Sequence, residues 1–280
     1  MSARAFTMRD RRFIRGERTA VMGILNVTPD SFSGDGRLAL SEAVKRAEAQ
    51  YEAGADIIDI GGESTRPGHV PVSIAEELER VVPVVRAVRE RFADWPISID
   101  TYKPEVAREA LAAGADCINS VWGASDELLD IAVESGATLA IMHNRELLYA
   151  GEIVDEVLRA LLAEARRARA RGLSEERIVL DPGIGFGKTP DQNIAVLAGL
   201  DRLVALGYPT LLGTSRKSTL GKLAGRDRPE ERVFATAATT AIAVTAGIDI
   251  VRVHDVAATR DVVAVSDAIV RNWRPRTWTE

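Results

Sequence analysis

The chain reads as an α/β protein, a (β/α)8 TIM barrel in a single domain with a short N-terminal extension. Three observations predict this. Short apolar runs alternate with helical segments eight times along the chain, and strict alternation of β and α elements implies a parallel sheet. Eight such units in about 255 residues match the size of a closed barrel. No Gly-x-Gly-x-x-Gly follows the first run, which weighs against the runner-up, a doubly wound open sheet of the Rossmann kind. No linker or low-complexity tract interrupts the pattern. The barrel is therefore placed at 19–273, with an N-terminal extension at 1–18 and a C-terminal tail at 274–280.

The elements follow in order. Residues 1–19 are polar and fit either a short edge hairpin or a disordered tail. Residues 20–25 form the first strand, ending at Asn26, and 27–37 are a turn-rich loop. Ser41 is placed as the cap of a helix ending near Gly54. The second strand, 56–60, leads into Gly61-Gly62-Glu63-Ser64-Thr65-Arg66-Pro67-Gly68, and 73–92 has helical periodicity. The third strand ends at Asp100, and Pro104 opens a helix at its first turn that stops at Gly114. The fourth strand ends at Asn119, and a helix over 125–135 is stopped by Gly136. The fifth, 138–142, ends at His143 and precedes a long charged helix at 152–171. Residues 177–180 form the sixth, leading to Asp181-Pro182-Gly183-Ile184-Gly185-Phe186-Gly187-Lys188, with a helix over 190–206. The seventh, 210–213, precedes Thr214-Ser215-Arg216-Lys217-Ser218 and helices at 219–224 and 229–246. The eighth, 249–254, is followed by a helix at 258–272.

Composition narrows the function classes. A net charge of −5 offers nothing to nucleic acid or an anionic membrane surface. A single cysteine, Cys117, excludes an internal disulfide framework and fits a reducing compartment. The first residues contain no apolar signal region and no long apolar run occurs, so a cytoplasmic protein without membrane contact is expected.

Polar residues fall at or just past the carboxyl end of every strand: Asn26, Glu63, Asp100, Asn119, His143, Asp181, Lys217, and Arg252 with His254. In a barrel these ends converge on the face where active sites sit. Singly, each has an ordinary explanation: Asn119 as a turn cap, Asp100 as a helix N-cap, His143 as a satisfied core histidine. Together they describe a mouth with two halves. Asp100, Asp181 and Asn119 suit the N–H and amino edges of a flat, nitrogen-rich heterocycle, since buried groups matched to such a ring reject analogues that leave them unpaired. Lys217, Arg252 and His254 lie on the seventh and eighth strands, where barrels commonly bind phosphate. Asn26, a neutral oxygen ligand beside that half, suits Mg2+ that keeps most of its waters.

Six motifs resemble the dihydropteroate synthase family: Asn26-Val27-Thr28-Pro29-Asp30-Ser31-Phe32-Ser33, the Gly61–Gly68 and Asp181–Lys188 stretches given above, Ser98-Ile99-Asp100-Thr101, Ser215-Arg216-Lys217-Ser218, and Val251-Arg252-Val253-His254-Asp255. The resemblance spans about 20–270. It implies a (β/α)8 barrel that condenses p-aminobenzoate with 6-hydroxymethyl-7,8-dihydropterin pyrophosphate, releasing pyrophosphate in an SN1-like step of folate biosynthesis. By resemblance, Asp100, Asn119, Asp181 and Lys217 hold the pterin, Met142 packs near its ring, and Arg252 stacks over it and touches the pyrophosphate. Asn26 and His254 serve the pyrophosphate and its Mg2+, and Asp100, Lys217, Arg252 and His254 form the catalytic set. Thr65, Arg66, Pro67, Phe186, Lys217 and Ser218 shape the p-aminobenzoate pocket, where sulfonamides compete in the family. A homodimer is implied, through helices on the side away from the first three strands.

Two places depart from the family pattern. Ser120 follows Asn119 where an aspartate is usual, and Asn144-Arg145-Glu146-Leu147 follows His143 where a longer loop with glycine and proline is usual. They leave a weakly active or non-catalytic pterin-binding paralogue as the alternative. Methyltetrahydrofolate methyltransferases share the barrel, but the Thr-Arg-Pro-Gly and Ser-Arg-Lys-Ser motifs and the lack of a corrinoid-binding segment argue against them.

Overall fold

The computed structural model describes residues 5–27, 36–63, 71–145, 152–275 and 278. Two short strands, β1 (Ala5–Met8) and β2 (Arg11–Ile14), pair antiparallel as a hairpin. The barrel strands are β3 (Ala20–Asn26), β4 (Ile57–Gly61), β5 (Ile97–Asp100), β6 (Cys117–Ser120), β7 (Thr138–Met142), β8 (Ile178–Asp181), β9 (Leu211–Leu212) and β10 (Ile250–Val253). They run parallel in the order β8-β7-β6-β5-β4-β3-β10-β9, and a parallel bridge from Leu180 to Thr210 joins the last pair. The sheet is therefore the closed barrel expected.

The helices cover the outside: α1 (Gly36–Glu52), α2 (Ile74–Arg91), α3 (Pro104–Ala112), α4 (Asp126–Ser135), α5 (Ile153–Ala170), α6 (Pro190–Ala198), α7 (Leu200–Val204), α8 (Ser218–Ala224), α9 (Val233–Ala246) and α10 (Val256–Val270). Ser73 and Ser125 cap α2 and α4 by accepting from the third backbone N–H beyond them, and Gly136 ends α4 in the left-handed conformation. Thr189 and Gln192 form a capping box on α6.

Three boundaries differ from the sequence reading. α1 begins at Gly36, so Ser41 lies inside the helix and is not its cap. The run Leu38-Ala39-Leu40 consists of good helix formers and carries the helix upstream of the serine. The helix placed at 190–206 is split at Gly199, and the one placed from 229 begins with a 3-10 turn, Pro229–Arg232.

The β1–β2 hairpin stands apart from the barrel sheet and plugs its N-terminal end. Phe6 and Met8 pack with Met22, Ile57, Cys117, Ala140, Val179, Leu211 and Ile250, inward residues of the barrel's lower half. Arg15 pairs with Asp249 at 3.0 Å and Arg18 with Asp56 at 2.5 Å, which ties the hairpin's exit to the barrel floor. This end carries buried carboxylates. Asp56, Asp116 and Asp249 each follow a helix-ending glycine by two residues, in Gly54-Ala55-Asp56, Gly114-Ala115-Asp116 and Gly247-Ile248-Asp249. Each carboxylate accepts from a backbone N–H opening the preceding strand: Val21 at 2.9 Å, Ile97 at 2.9 Å and Thr210 at 2.9 Å. The same device recurs at three places around the ring and satisfies donors that the sheet leaves orphaned.

Candidate active site

Strand alternation decides which side chains enter the barrel. On β4, β5, β6, β8 and β10 the inward positions near the carboxyl ends are Asp59, Asp100, Asn119, Asp181 and Arg252. The first three and Arg252 form one network. The Arg252 Nε donates to Asp59 Oδ2 at 2.5 Å, its Nη2 to Asp100 Oδ2 at 2.6 Å, and Asn119 Nδ2 donates to the same Asp59 oxygen at 3.0 Å. Asp59 is wholly buried and Asn119 and Asp100 nearly so. Asn119 is thus no turn cap, and Asp100 no helix cap: the residue at the N-terminus of α3 is Lys103.

Charge buried this deeply shifts its own titration. Burial raises the Asp100 carboxyl to about 7, against the pull of Arg252 and with a further push from Asp59. Burial also raises Asp181, opposed by Lys217. Burial by itself would lower the Arg252 guanidinium, but Asp59 and Asp100 outweigh it and hold the group above its ordinary value. Two carboxylate oxygens in the cluster, Asp59 Oδ1 and Asp100 Oδ1, are buried with no hydrogen-bond partner among the described residues. A native fold rarely strands such acceptors unless something else completes them.

Asp181 ends β8, and its Oδ1 accepts from Gly183 N at 2.7 Å. The loop beyond it brings Phe186 beside Lys217, whose Nζ lies 4.4 Å from the ring centroid. Lys217 also donates to the Ile184 carbonyl. Burial pushes its ammonium down to about 8, with Asp181 opposing. Met142 is buried at the end of β7, in register with Asp181. Ser218 is exposed as the first residue of α8, next to Lys217. His254, just beyond β10, has its Nδ1 2.9 Å from Ser215 Oγ. Asn26 ends β3, the strand paired with β10, so it lies on the same side of the mouth as Arg252 and His254.

Not every expected residue joins the mouth. Glu63 is instead taken up by an ion-pair cluster: Lys103 Nζ reaches Glu63 at 2.5 Å and Glu77 at 2.6 Å, and Tyr102 donates to Glu63 at 3.0 Å. His143 is buried against Lys188, Nδ1 to Nζ 3.1 Å, and is the satisfied histidine of the ordinary reading. Thr65, Arg66 and Pro67 lie outside the described residues, as do 28–35, the rest of 64–70, and 146–151. Ser120 faces away from Asn119 by strand alternation and is buried, so this departure does not touch the charged network. Asp59 was missed by the sequence reading. Its signal was present: a carboxylate flanked by isoleucines within a buried strand is costly unless paired.

Comparison with known proteins places this geometry. The model of the pterin binding enzyme family matches residues 22–254. The dihydropteroate synthase of Clostridium beijerinckii is 47% identical over 237 residues, covering 84% of this chain and 87% of that protein. That of Bacillus subtilis is 45% identical over 231 residues, covering 81% and 80%. Among solved structures, Xanthomonas albilineans dihydropteroate synthase with 4-aminobenzoic acid superposes with a TM-score of 0.90 at 42% identity, covering 96% of this chain and 98% of that one. The same enzyme in complex with 7,8-dihydropteroate gives a TM-score of 0.87 at 40% identity, covering 95% and 98%. With the barrel, the buried acidic network and these relatives in agreement, the chain belongs to the pterin-binding enzymes and, within them, to the dihydropteroate synthase family.

Proposed function

We infer that the chain condenses p-aminobenzoate with 6-hydroxymethyl-7,8-dihydropterin pyrophosphate, giving 7,8-dihydropteroate and pyrophosphate in folate biosynthesis. The observation that carries this is the pair of buried carboxylate oxygens on Asp59 and Asp100 that lack donors. A pterin's amino and ring N–H groups are donors of the kind they lack. Asp100, Asn119 and Asp181 grip that edge, Met142 packs by the ring, and Arg252 lies between the pterin and the pyrophosphate. Three buried carboxylates, Asp59, Asp100 and Asp181, face two cations, Arg252 and Lys217. The excess of negative charge favours a pterin that becomes positive.

The reaction then runs in two parts. The bond from the pterin CH2 to the pyrophosphate oxygen breaks heterolytically, and the electron pair leaves with pyrophosphate. The ring delocalises the positive charge left on the CH2. The arylamine nitrogen of p-aminobenzoate donates its lone pair to that carbon, and as the C–N bond forms its N–H proton passes to the released pyrophosphate or to water. Arg252 and His254 offset the charge on the leaving group. Phe186, Lys217 and Ser218, with Thr65, Arg66 and Pro67, shape the arylamine pocket.

Mg2+ fits the donor set. Among the described residues no group of three His, Cys, Asp or Glu side chains could hold a metal, and an ion that keeps several waters and binds substrate phosphates needs only one or two protein oxygens. Asn26 would supply one, with His254 beside it, and the ion would neutralise leaving-group charge.

The working unit is read as a cytoplasmic homodimer. No described helix is long and apolar enough to cross a membrane. Phe234, Ala238 and Ile242 form an exposed stripe on α9, and Val265 and Ile269 another on α10, with Phe234 86% and Ile269 77% exposed. Paired stripes of this kind suit a second copy; a monomer at every concentration in sedimentation would remove this reading. Pyrophosphate release, measured with both substrates and with each omitted, with and without Mg2+, tests the reaction. No release dependent on p-aminobenzoate would overturn it.

A further inference from the structure

Lys188 closes the glycine-rich motif, yet nothing in the reaction uses it. Its ammonium sits among backbone carbonyls: Gly183 O at 2.9 Å, Phe186 O at 3.1 Å and His143 O at 3.3 Å, with His143 Nδ1 at 3.1 Å. Among the described residues no carboxylate pairs with it. An ammonium half-buried this way is costly, and that burial pushes its pKa down to about 7. Burial, together with the neighbouring Lys188 charge, pushes His143 down to about 4, so the ring is neutral and accepts.

The carbonyls that Lys188 gathers come from two segments. Gly183 and Phe186 belong to the loop after β8; His143 is the residue after β7. The two segments lie in direct backbone contact. A Cβ on Gly183, at φ +67°, would sit 1.9 Å from His143 O, and one on Gly187, at φ +58°, 1.8 Å from Arg145 O. Only glycine permits that approach. On its other side the same loop holds Lys217. Its Ile184 carbonyl accepts from Lys217 Nζ, and a Cβ on Gly185 would meet Lys217 Cδ at 2.9 Å. Buried Asn193 completes that side, accepting from Gly185 N at 2.7 Å and donating to Thr219 Oγ1 at 3.1 Å.

We propose that Lys188 is a positioning residue whose ammonium splices the 183–187 loop to the end of β7 and so fixes where Phe186 and Lys217 meet p-aminobenzoate. The pterin is gripped by Asp100 and Asn119 on strands away from this splice, and by Asp181 and Lys217, which are held by the strand end and α8 as well as by the loop's contacts from Gly183 N and Ile184 O. The inference rests on the assignment of Phe186 and Lys217 to the arylamine pocket.

The test is steady-state kinetics of Lys188→Met, with separate KM values for the two substrates. A misplacement of about an ångström in a loop lowers productive binding steeply, so KM for p-aminobenzoate is expected to rise on the order of tenfold or more. KM for the pterin pyrophosphate should stay within about twofold, and Lys188→Arg should recover most of the loss. A purely structural lysine predicts instead an equal loss for both substrates in proportion to folded enzyme. That result, or an unchanged p-aminobenzoate KM, overturns the proposal. If Lys188→Met does not fold, Lys188→Gln, which keeps N–H donors without charge, is measured the same way and judged by the same selective rise. Phe186→Ala separates the two levels. If it leaves p-aminobenzoate KM unmoved, the pocket assignment falls and this proposal with it; if it raises KM and Lys188→Met does not, the role of Lys188 falls alone.

Discussion

Asp59→Ala is the substitution whose outcome the geometry constrains most tightly. The carboxylate is wholly buried, and one of its oxygens takes both Arg252 Nε at 2.5 Å and Asn119 Nδ2 at 3.0 Å. Removing it leaves the guanidinium with Asp100 alone, at 2.6 Å, and leaves the asparagine donor unmet. Breaking one partner out of a buried ion pair costs about 3–5 kcal/mol; because Asp100 remains, the lower end, about 3 kcal/mol, applies. For a chain of this size that corresponds to a fall in Tm of roughly 6–12 °C. Replacing both partners, Asp59→Ala with Arg252→Met, removes the uncompensated guanidinium but leaves Asp100 without its cation, so part of the lost stability should return, with an interaction energy of about 1–3 kcal/mol between the two sites. Catalysis should not return if Arg252 acts as proposed on the leaving group. Thermal unfolding of wild type, both single variants and the double variant measures the cycle. A Tm for Asp59→Ala within about 1 °C of wild type, or strict additivity in the double variant, would refute the account of the network.

Lys217→Ala should lower condensation by on the order of a hundredfold or more while circular dichroism stays native; unchanged turnover would remove Lys217 from the site. Asp181→Asn should weaken pterin binding by roughly 10–100-fold, the cost of a charged hydrogen bond to a buried donor, and change p-aminobenzoate KM less. The reverse ranking would exchange the two pockets. The raised carboxyl of Asp100 gives a pH dependence with two opposite signs. Its protonation, complete well below about 7, removes an acceptor, so pterin affinity should fall as pH drops through that value, and Asp100→Asn should flatten the dependence. Stability moves the other way: the carboxyl's pKa is raised above 3.8, so its stabilising contribution is full below that value and is lost as pH rises through about 7. Pterin affinity flat across this range would contradict the raised carboxyl.

Much of this was legible in the chain because two patterns are local. Alternating apolar runs and glycine-stopped helices fix a barrel without any long-range information, and a polar residue at the end of each run marks the mouth. What escaped depended on partners distant in sequence. Asp59 lies inside its strand, two residues before the end; only Arg252, 193 residues away, makes a carboxylate there tolerable. Glu63 stood at the right end of the right strand, but Lys103, 40 residues on, takes it into an ion pair that Glu77 shares. The floor was legible in part: a glycine-x-aspartate triplet precedes three strands, at 54–56, 114–116 and 247–249, but the same triplet at 199–201 and 225–227 precedes none. The start of α1 was misjudged because a serine followed by an acidic residue resembles a cap wherever it occurs, and helix propensity upstream of it decided the outcome.

The hairpin and the charged network belong to one design. A barrel open at its floor would admit water beneath Asp59, and the cluster's electrostatics would weaken toward their values in water. Phe6 and Met8 close that floor, stacking under an apolar layer of Met22, Ile57, Cys117, Ala140, Val179, Leu211 and Ile250. Above it, toward the mouth, lie Asp59, Asn119, Asp100, Asp181 and Arg252. The lower layer therefore does more than stabilise the fold. It keeps dry the underside of a site whose carboxylates must hold a heterocycle as positive charge develops on it, and whose water must be excluded long enough for an arylamine to reach the carbon first. The extension at the chain's start, remote from the substrates, is in this sense a part of the active site's dielectric.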